Sequence, residues 1–157
     1  FEKFGTSLFL DSDMLVFNSL ENIYKELLKN DLIFTSRKTN FNISDKFQNV
    51  TFPEFTNKTI NEVMPFNAGF IGINSLDAIN YIREKCIELP ERFHFWYGDQ
   101  YAQKIVYDSK KFNILVEDYK YNNTIKGLDQ FDEEIFVYHF KGRFKNLMKQ
   151  FYDSYVK

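Results

Sequence analysis

The apolar run Ser7-Leu8-Phe9-Leu10 ends at Asp11-Ser12-Asp13. A short run without polar alternation reads as a strand buried on both faces, which requires elements packed above and below it. Two carboxylates one residue apart then stand where the strand gives way to a loop. Open α/β sheets bind ligands outside the carboxyl ends of their strands. Hard cations such as Mg²⁺ and Mn²⁺ take oxygen ligands, commonly one or two carboxylates together with phosphates. Asp-x-Asp also arises by chance and suits a plain turn, so the triplet gains its meaning only in combination with motifs elsewhere in the chain.

Downstream, apolar strand-like runs alternate with helical patterns. Residues 6–10, 15–17, 32–35, 66–73, 112–116 and 135–140 read as strands. A helix is expected over 20–30, with Ser19 as a candidate cap and Ile23, Leu27 and Leu28 on its buried face. A second runs from Ser75 to about residue 89, where Pro90 stops it. Gly98-Asp99-Gln100 opens a third, reaching about residue 107, and 145–155 forms a fourth with Leu147, Phe151 and Tyr155 on one stripe. This alternation predicts an α/β fold, a sheet with flanking helices. The length of 157 residues predicts one domain over 1–157. Residues 37–65 are polar and weakly periodic, and loops of that length are usually functional or disordered. They are expected to form a long loop or lid on the acceptor side.

Composition narrows the partners. With 44% hydrophobic and 19% aromatic residues the chain is globular. A net charge of -2 without a block of like charges predicts no nucleic-acid surface. The single cysteine, Cys86, excludes an intramolecular disulfide and a Cys-based zinc site. It falls in step with Ile79, Ile82 and Leu89, as a packing residue would. No apolar run is long enough to span a bilayer, and no signal peptide is evident, so the expected location is the cytoplasm or the periphery of a membrane. The sequons at Asn42, Asn49, Asn57 and Asn122 read as chance in an Asn-rich chain, and His94, beside Phe93, Phe95 and Trp96, as structural.

Three further motifs come after the first. In Phe66-Asn67-Ala68-Gly69-Phe70, Ala68 and Gly69 remove side-chain bulk so that a ligand can approach the backbone, and Asn67 can donate to and accept from sugar hydroxyls. In Gly98-Asp99-Gln100 the carboxylate either caps a helix or binds a hydroxyl. The last is His139-Phe140-Lys141-Gly142-Arg143-Phe144-Lys145, a His-x-x-Gly-x-x-Lys directly after a strand. A neutral imidazole can complete an Asp/Asp metal shell. Gly142 permits a tight turn, and Lys145, with Arg143 nearby, can neutralise a diphosphate.

In this order the four motifs resemble those of the glycosyltransferase family 8 group of the GT-A fold, over residues 3–145. Members are retaining, metal-dependent enzymes that transfer a hexose from a nucleotide sugar. The resemblance implies Mn²⁺ or Mg²⁺ on Asp11, Asp13 and His139. It implies donor binding by Asp11, Ser12, Asp13, Asn67, Ala68, Gly69, Gly142 and Lys145, with Asp99 holding the donor sugar and Gln100 close to the anomeric carbon. The donor would be UDP-linked and the acceptor a carbohydrate, a glycolipid or a protein. Two features depart from the family: Asn146-Leu147 replaces the usual Pro-Trp, and the N-terminal nucleoside-binding half is expected to be lacking. The alternatives are a haloacid-dehalogenase-type phosphohydrolase using Asp11 and Asp13, and a non-catalytic glycan- or metal-binding fragment. Met14 and Lys104 stand where the phosphohydrolase pattern needs other residues.

Overall fold

The structure is a computed structural model and describes residues 5–43, 46–47, 50–94 and 97–155. Lys3, the sequon at Asn49, and Phe95 and Trp96 beside His94 lie outside the described residues. In chain order the elements are β1 (Ser7–Leu10), β2 (Met14–Val16), α1 (Glu21–Leu27), β3 (Leu32–Ser36), β4 (Lys46–Phe47), β5 (Val50–Thr51), α2 (Ile60–Val63), β6 (Phe66–Ile73), α3 (Leu76–Glu88), α4 (Gly98–Ser109), β7 (Ile114–Glu117), β8 (Asn123–Thr124), β9 (Val137–His139) and α5 (Met148–Tyr155). A 3-10 turn, Gly142–Leu147, precedes α5.

The result is a mixed α/β fold with two main sheets, a two-stranded β4–β5 pair and flanking helices. The larger sheet has the order β1-β6-β3-β7 and the smaller β2-β9-β8. In the larger one β1 and β3 both run antiparallel to β6, and only β3 and β7 are parallel. The expectation of a strand buried on both faces at β1 is corrected here. β1 forms an edge of its sheet, and Phe9 is 48% exposed. A four-residue apolar run carries no record of whether both its faces are covered.

Alternation along β3 divides the core. Leu32 and Phe34 face a cluster with Ala78, Ile82, Ala102 and Val106 from α3 and α4, while Ile33 faces Ile23 and Leu27 of α1. The expectation for Leu28 is corrected: one residue further round the helix than Leu27, it is exposed. A third cluster joins Tyr138 and Phe140 to Phe151 of α5. Helix α3 begins as read: the Ser75 hydroxyl accepts from the Ala78 backbone N–H at 3.2 Å, a cap contributing about 1 kcal/mol.

The described residues of 37–65 have structure of their own. Phe52, Phe55, Ile60, Val63 and Met64 are buried in the same core as α3 and α4. Phe52 and Phe55 both pack on Phe93, with ring centroids 4.9 and 5.8 Å away. Thr59 starts α2 with a reciprocal capping box to Glu62.

Two pairings position the chemistry. Met14 lies opposite His139 in the β2–β9 ladder, and the Phe140 N–H donates to the Asp13 carbonyl at 2.9 Å, so residues far apart in sequence are locked side by side. The β3–β6 ladder slips beyond Phe34: Phe34 faces Ile71, yet Ser36 faces Phe66, three residues further along β6 than regular pairing would bring it. Asn67, Ala68 and Gly69 occupy this irregular stretch, and such bulges re-aim side chains beside functional sites.

Candidate metal and ligand site

Every site residue expected from the sequence lines one cavity of about 1000 Å³. These are Asp11, Ser12 and Asp13, then Asn67, Ala68 and Gly69, then Asp99 and Gln100, then His139, Gly142 and Lys145. Its floor is the junction between the two sheets, and the start of α4 forms one wall.

Asp11, Asp13 and His139 each offer a ligand atom, and these atoms all lie within 4.8 Å of one another. His139 Nε2 is 3.1 Å from Asp13 Oδ1 and 3.6 Å from Asp11 Oδ2. Adjacent ligands of an octahedral ion with bonds of about 2.1 Å are about 3 Å apart, so these residues could hold a metal ion. His139 Nδ1 lies 2.9 Å from Asn122 Oδ1, an oxygen that can only accept. A ring hydrogen on Nδ1 satisfies that acceptor and turns the Nε2 lone pair towards two carboxylates. That arrangement is unfavourable unless a cation stands between them.

Burial first, and the Lys141 ammonium second, keep the imidazole neutral by lowering the His139 pKa from 6.5 to about 4. Burial and then the neighbouring Asp13 carboxylate raise that of Asp11. Burial opposes ionisation of Asp13 too, but the Lys145 ammonium, 2.9 Å away, outweighs it and holds this carboxyl below the ordinary range.

Stability should follow pH accordingly. As pH falls through 6.5 the unfolded chain protonates His139, whereas the folded chain does so only near 4. The unfolded state binds more protons across that window, so stability is expected to fall there on acidification and to be unaffected by this group above it. Urea denaturation in EDTA should show a loss on the order of 2 kcal/mol between pH 7 and pH 5. His139→Asn should flatten the slope, and an unchanged slope in that variant would remove His139 as its cause.

Gly69 has a packing reason beside ligand approach. A methyl group there would lie 2.5 Å from His139 Cε1 and 2.7 Å from Met14 Cε, so the glycine makes room for the imidazole. Gly142 has φ +57°, the left-handed region that favours glycine. Asp99 is not the N-cap residue, since α4 begins at Gly98 after Tyr97, but, exposed within the first turn, it accepts from the Gln100 backbone N–H at 2.8 Å. Gln100 is buried, and its Oε1 accepts from Arg37, which also donates to the Met64 and Phe66 carbonyls.

Several site residues escaped the sequence reading. Lys141 extends into the cavity and donates to Asn67 Oδ1 at 2.5 Å. Burial and then Arg37 lower its pKa to about 8. A third basic residue inside the His139–Lys145 motif was the available signal. Asn122 had none beyond a sequon, and it is 2% exposed. Cys86 packs against the core as expected but also borders the cavity, and His94, read as structural, is exposed on the cavity wall.

Comparison with solved structures places this architecture beside the glycosyltransferase GlyE of Streptococcus pneumoniae TIGR4. The TM-score is 0.54 over 93% of this chain, at 19% sequence identity. The chain spans 38% of the length of GlyE. No family model and no curated protein sequence matches the chain. Among the described residues no helix is long and apolar enough to cross a membrane.

Proposed function

We propose that the chain is the metal- and diphosphate-binding part of a glycosyltransferase. In this reading it moves a hexose from a nucleotide sugar, UDP-linked, to a carbohydrate, glycolipid or protein acceptor, with retention at the anomeric carbon. The observation that carries the proposal is the meeting of His139 Nε2 with the Asp11 and Asp13 carboxylates in the same cavity as Lys141 and Lys145. Fold similarity to a glycosyltransferase supports it, as does the meeting of all four motifs in one cavity.

Asp11, Asp13 and His139 would hold Mn²⁺ or Mg²⁺, a mixed oxygen and imidazole set suited to a hard or borderline cation. Once bound, that ion supplies positive charge for the diphosphate leaving group. Asp11, Asp13 and Asp99 are offset by Arg37, Lys141 and Lys145 around a neutral His139, so a divalent ion leaves an excess of positive charge that suits a diphosphate. Lys145 would exchange Asp13 for a phosphate oxygen, and the Gly142 turn would bring the backbone close to it. Ser12, Ala68 and Gly69 would border the donor. Asp99, exposed at the start of α4, can accept from a sugar hydroxyl. Arg37 fixes the Gln100 amide beside the reacting carbon. Asn67 would act on the donor largely through Lys141, because its amide is engaged by Lys141 and Asn122.

The segment 37–65 would shape acceptor choice from its packed position. The phosphohydrolase alternative gains nothing here: Lys104, at the position where it needs a carboxylate, pairs with Asp108 on α4.

The test is calorimetric titration of UDP and, in parallel, inorganic pyrophosphate, in Mn²⁺ and again in EDTA. Binding of both in Mn²⁺ and of neither in EDTA is expected. Absence of binding by either in Mn²⁺ would overturn the proposal.

A further inference from the structure

Thr35, Asn67, Asn122 and His139 form one closed, buried network. Asn122 Nδ2 donates to the Asn67 carbonyl at 2.8 Å and to Thr35 Oγ1 at 3.2 Å. Asn122 Oδ1 accepts from Asn67 Nδ2 at 2.9 Å and meets His139 Nδ1 at 2.9 Å. Thr35 Oγ1 donates back to the Asn67 carbonyl at 3.1 Å. The four residues are buried, at 0%, 4%, 2% and 3% exposure in chain order.

The network permits one orientation of the Asn122 amide. The Asn67 carbonyl can only accept, so the atom facing it must be the amide nitrogen. Reversing the amide would set oxygen against oxygen there and would leave two N–H donors, Asn67 Nδ2 and Asn122 Nδ2, facing each other. With the orientation fixed, both hydrogens and both lone pairs of the amide are used, and the acceptor at His139 Nδ1 cannot rotate away. The irregular stretch of β6 delivers Asn67 to this point, and the backbone of Asn122 is held by its own N–H to the Tyr119 carbonyl at 2.8 Å.

We propose that Asn122 is a positioning residue that sets the tautomer of His139 and, through Asn67 Oδ1, the place of the Lys141 ammonium. One buried amide thus aligns the metal-ligand face and the phosphate-facing cation of the same cavity. This inference rests on the metal-site reading of Asp11, Asp13 and His139. Groups hydrogen-bonded to a ligating imidazole typically change metal affinity by about 10- to 100-fold when removed.

The test has a readout independent of turnover. Long-range ¹H–¹⁵N spectra of protein labelled at histidine nitrogens, in EDTA at pH 7, report which ring nitrogen carries the hydrogen. Wild type is expected to show His139 with hydrogen on Nδ1, and hydrogen on Nε2 alone would overturn the proposal without any variant. Mn²⁺ titration then compares Asn122→Leu with Asn122→Asp. The leucine variant, which has no acceptor, is expected to lose the tautomer and bind Mn²⁺ at least about 10-fold more weakly. The aspartate variant keeps an oxygen at Nδ1 and is expected to retain both the tautomer and an affinity within about 3-fold of wild type, although losing the donors to Thr35 and Asn67 lowers its stability. Equal loss in both variants, or wild-type affinity in folded Asn122→Leu, would overturn the assignment to Asn122. If wild type itself fails to bind Mn²⁺ while showing the Nδ1 hydrogen, the metal-site reading fails and the positioning of the ring by Asn122 stands.

Discussion

Asp13→Ala is expected to abolish metal-dependent binding of UDP and to lower Mn²⁺ affinity by two to three orders of magnitude. Asp13 is the shared member of two contacts, 3.1 Å from His139 Nε2 and 2.9 Å from Lys145 Nζ. Removing a group that merely hydrogen-bonds a metal ligand typically costs about 10- to 100-fold in metal affinity, so the loss of a charged ligand itself should cost more. The substitution also releases Lys145, which then carries charge without its carboxylate. The backbone of Asp13 still accepts from Phe140, so the β2–β9 ladder should persist and the variant should fold. Titration of Mn²⁺ followed by paramagnetic resonance, with circular dichroism as the check on folding, measures the effect. A folded Asp13→Ala protein that still binds UDP in Mn²⁺ and not in EDTA would place the ion elsewhere.

Lys141→Met is expected to move stability and ligand binding in opposite directions. Burial, then Arg37, brings the Lys141 pKa down from 10.5 to about 8. Between those values the unfolded chain holds the proton and the folded chain has lost it. Wild-type stability should therefore rise as pH increases from about 8 to 10.5, and at pH 7 the charged lysine is destabilising. Methionine keeps most of the apolar stem and removes the buried charge. After allowance for the lost hydrogen bond to Asn67 Oδ1, the gain at pH 7 is expected to be on the order of 1–2 kcal/mol, a rise in Tm of about 3–8 °C. The alkaline slope should vanish with it. Affinity for pyrophosphate in Mn²⁺ should fall at least about 10-fold, since one charge-assisted contact is lost. A variant that gains no stability would refute the burial argument, and one that binds pyrophosphate as wild type does would remove Lys141 from the ligand site.

The sequence carried the site more clearly than the frame around it. Strand β6 and helix α3 were readable because an apolar run and a 3.6-residue stripe each ended at a clear signal, Ser75 and Pro90 among them. The four motifs converge because each lies at the end of an element, where chemistry-bearing residues interrupt apolar ones. Strand β1 was misjudged because its neighbours determine its burial. The buried aromatics Phe52 and Phe55 were lost among Asn, Thr and Lys because the segment packs through a one-turn helix and short turns, which leave no period to detect. Asn122 was invisible because its importance comes from contacts with residues 87, 55 and 17 positions away.

The pairing of Met14 with His139 in β2–β9 bears on the order in which the molecule assembles. Bringing those strands together closes most of the chain into one loop, an entropic cost that few contacts repay until the sheets are in place. Asp11, Asp13 and His139 are therefore expected to meet late, after the β3–β6 framework has formed. An ion held there would act chiefly as a latch on the finished molecule, slowing its opening far more than hastening its formation.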